Sequence, residues 1–118
     1  MNLKNDQEAV LTRYLAGPAK LDAAIAGLPD ADLDASPSGG GWTIRQIVHH
    51  IVDGDDLWKA GIKAALGNEG CEFTLEWYWS VPQDKWPESW GYAQRALSPS
   101  IALFKAARNH IEQLMEQV

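Results

Sequence analysis

The residues best suited to chemistry lie together on one predicted helix. His49 and His50 are adjacent, and Asp53 follows them at four and three residues' distance. At about 100° of helical rotation per residue, Asp53 can accept a ring N–H from either histidine. That bond would leave the other ring nitrogen available as a metal ligand or a base. The spacing therefore indicates a possible metal or acid–base site on this helix.

The same rotation gives the two histidines different directions. His50 shares its direction with Ile47, so we expect it to point toward the core or its mouth. His49 shares its direction with Arg45 and Asp56, a charged set that we expect to face water or the edge of a groove. The alternative is that His50 is a hydrogen-bonded core histidine and the acids form a solvated face, because a ligand set needs three or four groups.

Three amphipathic helices are predicted to position these residues. Apolar residues recur at three- and four-residue steps over about 7–28, 43–66 and 99–118. The long connection at about 68–95 carries most of the aromatic residues. The sequence has no stretch of alternating apolar and polar residues long enough to indicate a β-strand. We therefore expect an all-α bundle in a single domain.

Local signals define the ends of these helices. Gly17-Pro18 interrupts the first one, which predicts either a kink or a second helix that starts at the proline. Thr43 with Gln46 three residues later has the spacing of a capping box at the start of the second helix. Ser98-Pro99 predicts the start of the third helix, with serine as the cap and proline in the first position.

The aromatic connection has two interpretations. It contains four of the chain's six tryptophans, Trp77, Trp79, Trp86 and Trp90. They could hold the crossover on the bundle by burying their rings, since each aromatic side chain contributes a large area. Alternatively, some of the rings could line a pocket or a dimer face, where tryptophan is favoured.

Composition narrows the classes of partner. The chain has 118 residues and a net charge of −6, with no basic stripe, which argues against nucleic acid. The sequence contains no stretch of roughly 20 apolar residues, so we expect no membrane span. The single cysteine cannot form an internal disulfide, and the N-terminus has no signal-peptide pattern. We therefore expect a soluble, cytoplasmic protein.

Two stretches resemble the DinB/YfiT-like superfamily of helical bundles. The string Gly-Gly-Trp42-Thr-Ile-Arg-Gln-Ile-Val-His-His-Ile-Val-Asp53 is similar to the motif that opens the second helix of that family. The run from Tyr14 to Leu28 is similar to its first helix. The resemblance covers about residues 10–60 closely and implies an up-down helical bundle. Because only three long helices are predicted here, the expected bundle lacks the fourth helix or is truncated before it.

The resemblance also implies a metal and its ligands. In the family a divalent metal, often zinc or nickel, is held by three histidines, of which one lies on the second helix and corresponds to His50. The other two form a His-x-x-x-His pair on the fourth helix, a pair that this chain does not contain. Its third histidine, His110, is alone on the last predicted helix. We thus expect His50 as the main ligand, His49 and Asp53 as secondary residues at the mouth, and His110 as a weak candidate.

Two functions follow from the resemblance. The first is a metal-dependent enzyme, either a thiol S-transferase that uses a low-molecular-weight thiol or a hydrolase-like protein that acts on a small molecule. The second is a non-catalytic helical binding or dimerisation module that has lost the metal site. Three helices with an uncovered apolar seam would make a poor monomer, so we also expect a homodimer in which each chain covers the other.

Overall fold

The protein is a set of helices in which the last long helix packs against the two long helices that precede it. The computed structural model describes residues 3–67, 74 and 76–117. The α-helices are α1 (Leu3–Ile25), α2 (Asp30–Leu33), α3 (Ile44–Gly67), α4 (Glu76–Ser80), α5 (Trp86–Ser89) and α6 (Leu97–Glu116). Short 3₁₀ turns lie at Gln83–Lys85 and Tyr92–Gln94. Within the described ranges the chain has no β-strand, so the predicted all-α class is confirmed.

Helix α6 connects the other two long helices. It packs against both α3 and α1, while α2 and α5 pack against α3. Its buried residues recur at three- and four-residue steps, as an amphipathic helix requires: Leu97, Ser100, Phe104, Ala107 and Ile111. A core cluster forms where this face meets α2 and α3, and it comprises Leu33, Val48, Val52, Leu97 and Phe104.

Helix α1 continues through Gly17-Pro18, so of the two alternatives a second helix starting at Pro18 is excluded. Proline has no N–H, and the carbonyl four residues earlier, that of Tyr14, therefore lacks its helical donor. Arg108 of α6 donates to this carbonyl instead. A Cβ atom on Gly17 would lie 3.0 Å from Nη1 of Arg108, so glycine leaves the room that the arginine needs. Gly17-Pro18 therefore marks a contact between α1 and α6 rather than the end of a helix.

Helix α3 begins with the predicted capping box. The Gln46 backbone N–H donates to Thr43 Oγ1 at 3.1 Å, and the Thr43 backbone N–H donates to Gln46 Oε1 at 2.9 Å. These two bonds satisfy donors that a helix start would otherwise leave without partners. The helix, Ile44–Gly67, closely follows the predicted range of 43–66.

We expect Thr43→Ala to lower the free energy of unfolding by about 1 kcal/mol, the usual effect of losing an N-cap hydroxyl. Urea denaturation followed by circular dichroism measures this change. Thr12→Ala is the control, because the Thr12 hydroxyl donates only to the Glu8 carbonyl on the exposed surface of α1. Equal stability losses in the two variants would contradict the assigned role of the cap.

Helix α6 begins at Leu97 rather than at Pro99, with Ala96 in the cap position and no side-chain cap bond. The predicted Ser98 cap is therefore wrong. Leu97 is buried in the core cluster, so packing brings the chain into the helix two residues early. Pro99 still falls in the first turn, where its missing N–H costs no helical hydrogen bond.

In its described part, the long connection between α3 and α6 contains two short helices and two 3₁₀ turns. Residues 68–73 and 75, at its start, lie outside the described residues, and these include Cys71. None of the helices in the described part of the chain is apolar over enough length to cross a membrane.

Candidate functional site

The polar residues of α3 meet the crossover that leads into α6, and His49 lies at the centre of this contact. Its side chain is fully buried, with a relative exposure of 0%. The ring nitrogens contact Ser100 Oγ at 2.8 Å and the Arg95 carbonyl at 2.9 Å. The expectation that His49 faces water or a groove edge is therefore wrong, because α6 and the crossover supply buried partners on that side of α3.

The partners of His49 determine its proton position. A carbonyl oxygen can only accept, so Nε2 carries the proton and donates it to Arg95. Nδ1 then accepts from the Ser100 hydroxyl. Burial is the main cause that lowers the pKa of His49, which keeps the ring neutral. A neutral ring with both nitrogens engaged holds the crossover on α3 and has no nitrogen left for a metal.

His50 has the opposite environment. It is half-buried, and its ring contacts those of Trp42, Trp86 and Tyr92, with centroids 4.9, 5.2 and 6.5 Å away. Its Nδ1 atom is buried and has no hydrogen-bond partner among the described residues. Buried polar atoms are nearly always paired, so an unpaired ring nitrogen inside an aromatic cluster needs an explanation. The alternative in which His50 is a hydrogen-bonded core histidine is not supported at this atom.

Asp53 binds an arginine rather than a histidine. Its Oδ2 accepts from Arg95 Nη1 at 2.8 Å, and the side chains are 15% and 38% exposed, respectively. The expected Asp53–histidine bond is therefore absent from the described contacts. Sequence reasoning missed Arg95, since it lies outside every motif; only its place just before the last helix could have indicated a role.

Arg95 joins several parts of the fold. Its carbonyl accepts from Arg45 Nη1 at 3.1 Å as well as from His49. Arg45 in turn pairs with Asp34 at 2.6 Å, which connects the crossover to the segment after α2. A cavity of about 270 Å³ opens beside this network and is lined by Asp53, Asp56, Leu57, Trp90 and Arg95.

The aromatic residues of the crossover serve more than one purpose. Trp86 is buried, stacks on Trp90 at 4.7 Å and donates its indole N–H to the Val81 carbonyl at 3.0 Å. Trp90 also lines the cavity. These two rings fit both interpretations, since they hold the crossover and one of them borders a pocket. Trp79, by contrast, is 72% exposed.

The side chain of Tyr92 is completely buried. Burial, followed by the nearby Asp53 carboxylate, raises the pKa of its hydroxyl well above the ordinary value. Within the part of the chain that the structure describes, the hydroxyl forms no hydrogen bond of normal geometry. Tyr92 thus brings a hydroxyl close to the Asp53 carboxylate, and His50 brings an unpaired nitrogen, to the same buried region.

These residues do not form a complete metal site. Across residues 3–67, 74 and 76–117, no group of three or more His, Cys, Asp or Glu side chains is arranged to hold a metal ion. His110 is exposed on α6, and Asp53 is engaged by Arg95. One histidine nitrogen is available where a structural or catalytic site needs three or four ligands.

The fold is similar to a solved structure. YfiT from Bacillus subtilis, described as an unusual four-helix bundle, matches with a TM-score of 0.78 and 24% sequence identity. The match covers 98% of this chain and 63% of that one. At this identity the likeness concerns the fold.

Comparison with curated proteins gives shorter but closer matches. The “Putative metal-dependent hydrolase YfiT” of Bacillus subtilis is 50% identical over 36 residues, which are 30% of this chain and 20% of the relative. A “Putative metal-dependent hydrolase” of Bacillus cereus is 50% identical over 71 residues, 60% of this chain and 38% of the relative. The matched stretches thus span less than two thirds of the length of each relative. The sequence profile of the DinB superfamily matches residues 13–118, and the chain belongs to that superfamily.

Proposed function

We propose that this protein is a metal-dependent enzyme of the hydrolase type for which its relatives are named, and that His50 supplies one ligand to a divalent metal. The unpaired Nδ1 atom of His50 is the observation that carries the proposal. Leaving such an atom buried without a partner costs about 1–3 kcal/mol, which a ligand-binding role would explain. Helix α3 fixes the position of this nitrogen. The rings of Trp42, Trp86 and Tyr92 limit the access of water to it.

The described residues fit such a metal only at this one position. The proposal requires further ligands from outside the described part of the chain. When bound, a divalent metal would supply a nucleophile at neutral pH by lowering the pKa of a bound water or thiol. Trp42 and Trp86 would exclude water from His50. The Asp53–Arg95 pair would fix the wall of the neighbouring cavity, which these two residues line.

We expect His50→Ala to reduce bound divalent metal from about one ion per chain to near zero. The measurement is elemental analysis of protein purified without chelators and then equilibrated separately with zinc and nickel. His110→Ala is the matched control, because it removes an exposed histidine from α6 and should leave the metal content unchanged. Circular dichroism reports whether each variant folds. Metal-free wild-type protein, or a His50→Ala variant that keeps its metal, would overturn the proposal.

A non-catalytic binding or dimerisation module is the second candidate. The lack of a three-ligand group in the described residues favours it. In that case we expect wild-type protein without metal after equilibration and the same unfolding midpoint with and without zinc. A metal that raises the midpoint in wild type but not in His50→Ala would exclude this candidate.

The type of reaction, the metal, the class of substrate and the cellular location are also proposals. Within the enzyme class, transfer to a low-molecular-weight thiol is the alternative to hydrolysis, and zinc and nickel are the metals to test. The cavity lined by Trp90 and Arg95 supports a small-molecule substrate, since Trp90 stacks on Trp86, whose ring contacts His50. A cytoplasmic location belongs to the same proposal, because a chain with one cysteine gains nothing from an oxidising compartment.

A further inference from the structure

The cavity beside the His49 network is built from α3 and the crossover. Helix α3 supplies Asp53, Asp56 and Leu57, which share one face because they lie three and four residues apart. The crossover supplies Trp90 and Arg95. The volume of about 270 Å³ is just below the range of about 300–1,000 Å³ that is usual for drug-sized ligands. The cavity therefore suits a smaller molecule.

The two carboxylates of this cavity already have cationic partners. Asp53 Oδ2 accepts from Arg95 Nη1 at 2.8 Å, and Asp56 Oδ1 accepts from Lys59 Nζ at 2.9 Å. Each carboxylate is thus balanced by one cation, and these four groups carry no net charge together. A cationic ligand would have to displace Lys59 or Arg95 from its carboxylate, and the lost ion pair would offset much of what the ligand gains.

Arg95 has more donors than its contacts in the described residues use. A guanidinium carries five N–H groups in a planar fork. One of them donates to Asp53 at 2.8 Å, and Nη2 reaches Ser100 Oγ only at 3.5 Å. The Arg95 side chain is 38% exposed and lines the cavity. Donors are therefore available to an acceptor that enters the cavity.

The backbone and the side chain of Arg95 are both held in place. Its carbonyl accepts from Arg45 Nη1 and His49 Nε2, and Asp53 fixes one side of the guanidinium. The guanidinium carbon also lies 5.9 Å from the centroid of the buried Tyr92 ring. A side chain that is fixed before binding loses little conformational entropy when a ligand arrives.

A carboxylate is the group that best matches such a fork, because its two oxygens accept two parallel N–H bonds. Next to Arg95, Leu57 and Trp90 give the cavity an apolar wall. We propose that Arg95 anchors the carboxylate of a small ligand whose apolar body lies against Leu57 and Trp90. The identification of this ligand as the substrate rests on the proposed function, whereas its binding to the cavity does not.

Three matched probes test this proposal. Phenylpropionate, phenylpropionamide and phenylpropylamine share one apolar body and end in an anion, a neutral amide and a cation, respectively. Each is titrated into isotope-labelled protein in the presence of EDTA, and NMR chemical shifts of the Trp90 indole N–H and the Arg95 backbone amide report binding. We expect phenylpropionate to bind about 10-fold more tightly than either of the others, the gain expected from a charge-assisted hydrogen bond.

Arg95→Gln should weaken phenylpropionate binding about 10-fold and abolish its advantage over phenylpropionamide, since glutamine keeps a polar side chain without the charge or the fork. Arg13→Gln is the matched control, because Arg13 is exposed on α1 and lies outside the cavity, and its affinity should equal that of wild type. Circular dichroism reports whether each variant folds. If Arg95→Gln does not fold, the order of the three probes on the wild-type chain decides.

Several results would overturn the proposal. Equal affinity for phenylpropionate and phenylpropionamide is one, tighter binding of phenylpropylamine is another, and shifts that spare both Trp90 and Arg95 are a third. No binding at about 20 mM phenylpropionate would also overturn it, because a small ligand that fits its site binds in the low millimolar range or more tightly.

EDTA separates this result from the metal. If phenylpropionate binds only after zinc replaces EDTA, and not to His50→Ala, a metal rather than Arg95 holds the carboxylate, which overturns this proposal and supports the proposed function. If the wild-type chain never binds metal but binds phenylpropionate through Arg95, the proposed function is wrong and the carboxylate site stands.

Discussion

Replacing Arg108 with methionine is expected to lower the free energy of unfolding by about 3–5 kcal/mol, because it leaves a buried carboxylate without its partner. The Arg108 guanidinium donates to Asp55 Oδ1 at 3.0 and 2.7 Å, and the side chains are only 15% and 12% exposed. It also donates to the Tyr14 carbonyl and lies 3.8 Å from the centroid of the Tyr14 ring. One side chain thus joins α1, α3 and α6, and methionine keeps its apolar stem while removing these bonds.

Urea denaturation at one fixed protein concentration measures the effect. Lys105→Met is the matched control on the same helix, since the Lys105–Asp22 pair is 50% and 40% exposed and should contribute less than about 1 kcal/mol. The double variant Arg108→Met/Asp55→Leu should recover the part of the loss that comes from the unpaired Asp55 carboxylate, because replacing both partners of a buried pair is often neutral, while the Tyr14 carbonyl still lacks its Arg108 donor. If Arg108→Met costs no more than Lys105→Met, the assigned role of the pair is wrong.

The role of Arg108 shows where sequence reasoning reaches its limit in this fold. The interruption at Gly17-Pro18 is visible in the sequence, and a missing N–H follows from the proline itself. The group that takes the freed carbonyl is 94 residues away along the chain. Local patterns can identify an unsatisfied acceptor, but they cannot indicate which distant donor satisfies it.

Local signals predicted well what local interactions determine. The α3 capping box involves residues three positions apart, and both of its bonds are present. The start of α6 was misplaced because burial of Leu97, a tertiary contact, extends the helix beyond its apparent cap. The all-α class followed from the helical periodicity of the apolar residues, which reflects burial on one face of each helix.

The sequence singles out His49, His50 and Asp53, but the contacts of His49 and Asp53 differ from those that helix spacing predicts. Helical rotation gives the angle between His49 and His50, yet the direction of the core depends on Ser100 and Arg95 from elsewhere in the chain. Asp53 was expected to accept from a neutral ring, but a guanidinium 42 residues further along forms the stronger, charge-assisted bond. The competition between these partners cannot be read from helix spacing.

We expect His49→Leu to lower the free energy of unfolding by about 2–4 kcal/mol, since leucine fills the space but forms no hydrogen bond. Both ring nitrogens have buried partners, namely the Ser100 hydroxyl, on a side chain with 3% exposure, and the Arg95 carbonyl. The Arg95 carbonyl keeps its bond from Arg45 Nη1 at 3.1 Å, whereas the Ser100 O–H loses its acceptor and its oxygen keeps only a long contact from Arg95 Nη2 at 3.5 Å, so the hydroxyl loses more than the carbonyl does. The larger part of the effect should therefore come from the stranded Ser100 hydroxyl.

A double-mutant cycle tests this division. Adding Ser100→Ala to His49→Leu removes the stranded hydroxyl, so the double variant should be more stable than His49→Leu alone, with a coupling energy of about 1–2 kcal/mol. His110→Leu is the control, because it makes the same replacement at an exposed position of α6 and should change stability by less than about 0.5 kcal/mol. Additive losses from the two buried substitutions would contradict a direct His49–Ser100 bond. Coupling between them would instead establish that the His49–Ser100 bond holds the first turns of α6 against α3.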